Sequence, residues 1–337
     1  MKSYVFIGID ISKATLDVSV VSPSNCRSIH YSQFENTKKG FIRLLVWIKK
    51  NCESMPVESW RVCMENTGIY SMELNCFLQE KGIWQTLENA LQIKRSMGML
   101  RGKTDKADSR TIALYAYRFS DKLKPYEVPG QTFLRLRVLF AQRERLVDMH
   151  RQIQLAMKSL TCFDKQLVND IQKQNDALLK KLSSQIKAMD IQLKETLKMD
   201  LELGAKAKLI QSVPGIGLQT AVYLLITSRG MEAFNTPRQF ASYSGCAPFE
   251  YRSGTSIRGK TKTHFLANRK MKSLLHMAAI NAITFNEEIK HFYQRKLEQG
   301  KNPMCVINAV RFKLICRIFA VVKRGQEFQK EFPKIAA

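Results

Sequence analysis

Residues 4–12, YVFIGIDIS, form a short apolar run, and residues 15–22, TLDVSVVS, alternate apolar with polar side chains. The first pattern suits a buried strand and the second a half-buried one. RSIHYSQF (27–34), SWRVCMEN (59–66) and IWQTLEN (83–89) predict three more strands, and PSN (23–25) a hairpin-type turn. Phe41, Leu44, Leu45 and Ile48 recur at helical spacing in KKGFIRLLVWIKKN. A second helix is expected near Ser71–Lys81. A third lies in TDKADSRTIALYAYRF, with Thr104 as N-cap and Asp105 in its first turn. Three antiparallel strands, a helix, a strand, a helix and a strand is the order expected of an RNase H-like mixed sheet.

The pattern then changes. From Gln131 to Leu203 there is neither glycine nor proline. LRLRVLFAQRERLVDMHRQIQLAMKSL and NDALLKKLSSQIKAMDIQLKETLKM read as long amphipathic helices, antiparallel and joined near Cys162–Asn175. Leu178, Leu182, Ile186, Met189 and Leu193 repeat at coiled-coil spacing, which suits either a spacer hairpin or a dimerisation arm. KLIQSVPGIGLQTAVYLLI reads as a helix–hairpin–helix, in which Gly215 and Gly217 let backbone N–H groups approach a phosphate. YSGCAPFEYRSGTSIRGKTK is loop-rich, and helices follow in KMKSLLHMAAINAI and MCVINAVRFKLICRIFAVV. These changes divide the chain into an α/β segment (1–125), a helical coiled-coil linker (126–205) and a mostly helical segment (206–337).

Charge sharpens this picture. The 337 residues carry 54 Lys and Arg against 29 Asp and Glu, a formal net charge of +25. A field of that size favours a polyanionic partner, above all nucleic acid. Residues 206–337 hold 22 of the cations and only 7 of the acids, and Asp200 is the last aspartate. An aspartate-based metal site must therefore lie in the first 200 residues, while polyanion attraction is strongest in the last third. The eight cysteines show no CxxC spacing and the five histidines no paired spacing, so the chain predicts reduced thiols and no zinc knuckle. MKSYVFIGID runs from one lysine straight into a strand and is not a signal peptide. No stretch of 18 apolar residues exists, so the expected setting is cytoplasmic, with no membrane partner.

Four scarce acids stand at positions that can converge. Asp10 ends the first strand, Glu65 ends the fourth, and Asp105 and Asp108 open a helix. Positions three apart share a helix face, with Cβ atoms about 5–6 Å apart. Carboxylates packed together hold protons unless cations bind, and Mg²⁺ favours such hard oxygen ligands while keeping positions open for phosphate. Two such ions about 4 Å apart stabilise attacking and leaving oxygens in phosphoryl transfer. Each acid also has an ordinary reading: Asp10 as a turn cap, Glu65 as an ion-paired strand end, Asp105 at a helix dipole, Asp108 beside Arg101. Lys103 adds a cation next to the aspartate pair.

The second candidate is EYRSGTSIRGKTK, residues 250–262. Ser253 follows Arg252, and Arg258, Lys260 and Lys262 come after it, with no acid between Glu250 and Glu287. Such a loop grips phosphate, and its hydroxyl attacks a phosphodiester if its proton is taken and the developing charge is stabilised.

IGIDISKATLDVSV, ENTGIY, KTDKADSRTIA, SVPGIGLQTA, RQFASYSGCAP and YRSGTSIRG together resemble the DEDD transposases of the insertion sequence 110 family, in that family's order and spacing. The resemblance runs from about residue 4 to about residue 325. It implies a RuvC-like N-terminal domain, a coiled-coil linker and a C-terminal transposase domain. It implies Mg²⁺ on Asp10, Glu65, Asp105 and Asp108, and places the family's essential serine, which links transiently to DNA, on Ser253. The partners it implies are the DNA of element ends and target, and a structured noncoding guide RNA. A homodimer or homotetramer in a bacterial, nucleoid-associated setting is expected. Arg252 stands where some relatives carry an acid before the serine. The competing expectations are a metal-only nuclease or junction resolvase, in which water attacks and Ser253 only grips phosphate, and a non-enzymatic nucleic-acid-binding protein.

Overall fold

The computed structural model describes residues 4–22, 25–52, 55–66, 68, 70–98, 104–162, 164–253 and 257–329. They fall into two compact units, Met1–Val128 and Pro129–Ala337.

The first unit contains β1 (Val5–Ile11), β2 (Thr15–Ser22), β3 (Asn25–Glu35), α1 (Lys38–Asn51), β4 (Trp60–Glu65), α2 (Met72–Glu80), β5 (Gln85–Glu88), α3 (Ala90–Ser96) and α4 (Asp105–Arg118). The sheet order is β3-β2-β1-β4-β5. β1, β2 and β3 pair antiparallel, whereas β4 lies parallel to both β1 and β5. This is the mixed, RNase H-like order that the run of elements predicts. Alternation along β1 explains the two faces. Val5, Ile7, Ile9 and Ile11 pack with Phe41, Leu44 and Ile48 of α1 and Leu74 and Leu78 of α2. Phe6, on the opposite face, packs with Cys63 and with Ile112, Ala113, Tyr115 and Ala116 of α4.

The second unit opens with α5 (Gln131–Lys158) and α6 (Lys165–Met199). Arg143 Nε meets Asp190 Oδ1 at 2.6 Å and His150 Nε2 meets Ser183 Oγ at 3.2 Å, so the two helices run antiparallel. The expected connection at Cys162–Asn175 is too long. Asp164 accepts hydrogen bonds from the N–H groups of Gln166 and Leu167, and this cap starts α6 at Lys165. Along the predicted seam Leu182 and Leu193 are buried, while Leu178 is exposed.

The remaining elements are α7 (Leu201–Gln211), α8 (Leu218–Ser228), α9 (Pro237–Tyr243), β6 (Phe249–Ser253), β7 (Ile257–Lys262), α10 (Arg269–Phe285), α11 (Glu287–Glu298) and α12 (Pro303–Arg324). Leu136 and Phe140 of α5 and Leu193 and Leu197 of α6 share one core with α7, α8, α10 and α12. The stretch expected to be loop-rich instead holds an antiparallel β6–β7 hairpin, in which Arg252 pairs with Arg258 and Ser253 with Ile257. Cross-strand pairing decides that, and the alternation of Phe249, Glu250, Tyr251 and Arg252 is too short, beside a Gly- and Ser-rich turn, to announce it. Among the described residues no helix is long and apolar enough to cross a membrane, and Cys63, Cys76, Cys246, Cys305 and Cys316 are free thiols.

Candidate metal centre

Asp10 lies on the face of β1 that α4 covers. What brings α4 there is Gly8, two residues earlier on the same face. A Cβ at Gly8 would lie 2.2 Å from the Ala113 nitrogen and 2.3 Å from the Ser109 oxygen, so the helix rests directly on the strand backbone. A buried hydroxyl pair, Ser19 Oγ and Ser109 Oγ at 2.8 Å, ties the same helix to β2. At the helix start, Thr104 Oγ1 accepts from the Ala107 N–H at 3.2 Å, as its N-cap position predicts. The first turn is thereby set, and with it Asp105 and Asp108.

The result is one group of carboxylates. Oxygens of Asp10, Asp105 and Asp108 all lie within 4.8 Å of one another. Asp105 is exposed, and Asp10 and Asp108 are half-buried. Burial, followed by the charges of Asp108, Asp105 and Asp17, holds the Asp10 carboxyl above its ordinary pKa of 3.8. A bound cation relieves that repulsion. The donor set is all carboxylate oxygen with no sulfur or imidazole, which fits a hard divalent ion such as Mg²⁺.

Glu65 is not in the 4.8 Å group. It stands on the adjacent strand at the same level, since Ile9 pairs with Met64 in the parallel β1–β4 ladder. Glu65 in turn pairs with Glu88 of β5, and Asp10 pairs with Asp17 of β2. Four neighbouring strands therefore place an acid at one level: Asp17, Asp10, Glu65 and Glu88. Asp17 and Glu88 went unassigned in the sequence. Asp17 had a visible signal, because the Thr15, Asp17, Ser19 alternation puts it on the face of Ser19. Glu88 had none until register was known.

Asp17 is only 2% exposed. Its Oδ1 accepts from the Tyr31 hydroxyl at 2.6 Å, and both of its oxygens lie 3.2 Å from Gln33 Nε2. That hydrogen bond, with burial and the Asp17 charge, pushes Tyr31 up to about 12. Burial raises the Glu88 carboxyl, opposed by hydrogen bonds from Tyr115 and Thr86. Gln92 Nε2 donates to the Tyr115 hydroxyl at 2.9 Å.

In the second unit, Ser253 is the last residue of β6, beside the segment 254–256 that lies outside the described residues. Arg252 shares its strand, and Arg258, Lys260 and Lys262 are on β7. Lys103 lies outside the described residues. Gly215 and Gly217 form the α7–α8 turn beside a cavity of about 520 Å³, also lined by Pro214, Asn281, Phe285 and Asn286. Gly215 has φ +86°, and a Cβ there would meet the Ala278 oxygen of α10 at 2.3 Å. Its lack of a side chain is thus already required by packing. Gly217 caps α8 with open space around it.

Residues 7–160 match the DEDD transposase family of insertion sequence 110, and residues 207–294 match the family described as Transposase IS116/IS110/IS902. The pilin gene-inverting proteins of Moraxella lacunata and Moraxella bovis are each 27% identical over 333 residues, covering 97% of this chain and 98% of theirs. An insertion element IS110 protein of 43.6 kDa from Streptomyces coelicolor is 27% identical over 161 residues, 47% of this chain and 40% of its own. Among solved structures, Thermus thermophilus RuvC in complex with a Holliday junction substrate is 15% identical, with a TM-score of 0.29. That match covers 36% of this chain and 99% of that one.

Proposed function

Since the chain belongs to the insertion sequence 110 family of transposases, enzymes that recombine DNA, we propose that it cleaves and rejoins DNA strands through Ser253 and a divalent metal centre on Asp10, Asp105, Asp108 and Glu65. The single observation that carries the metal reading is the meeting of three aspartate oxygens within 4.8 Å. These residues come from a strand and a helix start almost a hundred positions apart. Mg²⁺ held there would neutralise charge on the phosphate and on an attacking or leaving oxygen.

The chain's own groups divide the remaining work. Ser253 Oγ gives up its proton and forms a bond to phosphorus, while the bond from phosphorus to one deoxyribose oxygen breaks and that oxygen takes up a proton. Attack on the phosphoserine by a hydroxyl of the new strand joins DNA and restores the serine. Arg252, Arg258, Lys260 and Lys262 hold the phosphate during both steps. Cleavage and rejoining serve inversion of a DNA segment as well as transposition, in keeping with the names of the Moraxella relatives.

The same reading includes a noncoding guide RNA, which the cationic segment 206–337 suits as well as it suits DNA. It also includes a homodimer or homotetramer assembled through α5 and α6, along which Met149, Leu155, Leu167 and Leu178 are exposed. Denaturing gels of the protein with labelled element-end DNA and Mg²⁺ test the chemistry. A covalent adduct is expected from the wild type, and none from Ser253→Ala or Asp108→Asn. Free DNA ends without any adduct, or an adduct that survives Ser253→Ala, would give the attack to water or to another residue.

A further inference from the structure

Asp17 is a buried carboxylate that the chemistry above does not use. It pairs directly across from Asp10 in the β1–β2 ladder, where side chains of opposed residues stand about 4.5–5.5 Å apart at Cβ. A buried acid beside three others adds repulsion in the absence of metal, and its charge is one of the influences that raise Asp10. An asparagine would keep the Tyr31 bond without the charge, giving up only the second of the two contacts from Gln33 Nε2. Asp17 itself is not free to be a ligand. The Tyr31 hydroxyl and Gln33 amide of β3 occupy it, and its oxygens are not in the 4.8 Å group.

We propose that Asp17 is an outer carboxylate of the metal centre: held off the ion by Tyr31 and Gln33, it contributes its charge through Asp10 and so raises affinity for a divalent cation. This rests on the metal reading of Asp10, Asp105 and Asp108. A divalent ion feels a unit charge several ångströms away in a partly buried setting by an amount equal to about a tenfold change in affinity. Tyr31 and Gln33 then have a definite task. They satisfy the carboxylate without neutralising it, and they keep it from collapsing onto the ion and taking a position that substrate phosphate needs.

Titration of the full-length chain with Mn²⁺, read by the loss of the free-ion electron paramagnetic resonance signal, tests this without any turnover. Asp108→Asn reports on the site itself and is expected to abolish the tight binding. Asp17→Asn, nearly the same shape, is expected to bind Mn²⁺ about tenfold more weakly. Tyr31→Phe keeps the charge and is expected to stay within about twofold of wild type. Circular dichroism without metal checks that each variant is folded, and Asp17→Ser removes the same charge if Asp17→Asn does not fold. Wild-type binding lost in Asp108→Asn but unchanged in folded Asp17→Asn overturns the Asp17 role alone. Equal weakening by Asp17→Asn and Tyr31→Phe overturns the charge argument in favour of geometry. Wild-type protein that binds no Mn²⁺ overturns the metal reading and this inference with it.

Discussion

Replacing Gly8 with alanine separates the position of α4 from the chemistry of the acids, because Gly8 carries no functional group. The added Cβ would sit 2.2 Å from the Ala113 nitrogen, 2.3 Å from the Ser109 oxygen and 2.8 Å from the Ala113 Cα. All three are backbone atoms, so no side chain can swing aside. Ordinary contact distances of about 3.5–4.0 Å require the helix to retreat by about 1 Å or more. That retreat loosens Ile112, Ala113, Tyr115 and Ala116 from the sheet and stretches the Ser19–Ser109 pair. Overpacking of this kind costs about 1–3 kcal/mol, and with rigid backbone on both sides the upper end applies. The melting temperature of the metal-free protein should fall by about 10 °C. Asp105 and Asp108 move with the helix while Asp10 stays on the strand. Mg²⁺ and Mn²⁺ sites tolerate only a few tenths of an ångström in ligand position, so Mn²⁺ affinity should drop on the order of 100-fold. Thermal melting followed by circular dichroism and Mn²⁺ titration measure the two effects. If Gly8→Ala melts within about a degree of wild type and binds Mn²⁺ equally, the close seat of α4 on β1 is not what assembles the site.

Asp10→Asn should stabilise the metal-free protein. A raised carboxyl pKa means that the ionised form is disfavoured in the fold, so wild-type stability from this group increases as pH falls. At neutral pH the variant should melt above wild type. The gain should shrink as the pH drops through the raised Asp10 pKa and vanish below 3.8, and saturating Mn²⁺ should reverse the order of the two melts. The α7–α8 turn allows a second contrast. Gly215→Ala forces a Cβ onto the Ala278 oxygen at a φ of +86° and should cost about 2 kcal/mol or more. Gly217→Ala, in open space, should change stability by no more than about 0.5 kcal/mol. Weakened DNA binding by Gly217→Ala at unchanged melting temperature, measured by fluorescence anisotropy, would mark a phosphate contact there.

Much of the first unit was legible because its strands alternate and its helices are capped. The Thr104 cap, Asp105 in the first turn and the run of elements in an RNase H-like order were all visible as pattern, and the structure bears them out. Register was not visible. Only pairing shows that Asp17, Asp10, Glu65 and Glu88 stand level, or that Glu65 lies outside the group formed by the three aspartates. Gly8 carried no signal of its own in the sequence, since its close approach is to a helix a hundred residues away. In the second unit, the β6–β7 hairpin escaped because its aromatic–charged alternation spans only Phe249 to Arg252 before a Ser- and Gly-rich stretch. Gly215 suggested phosphate binding, while its packing against α10 depends on a contact that no local pattern encodes.

The central claim is that Asp10, Asp105 and Asp108 gather to hold a divalent metal used in DNA strand cleavage. Anomalous diffraction from crystals of the chain grown with Mn²⁺ and element-end DNA tests it most directly. The account predicts a Mn²⁺ peak bonded to oxygens of Asp10, Asp105 and Asp108, absent in Asp108→Asn crystals. No peak at those aspartates at saturating Mn²⁺, in protein that still cuts DNA in the presence of chelator, would contradict it.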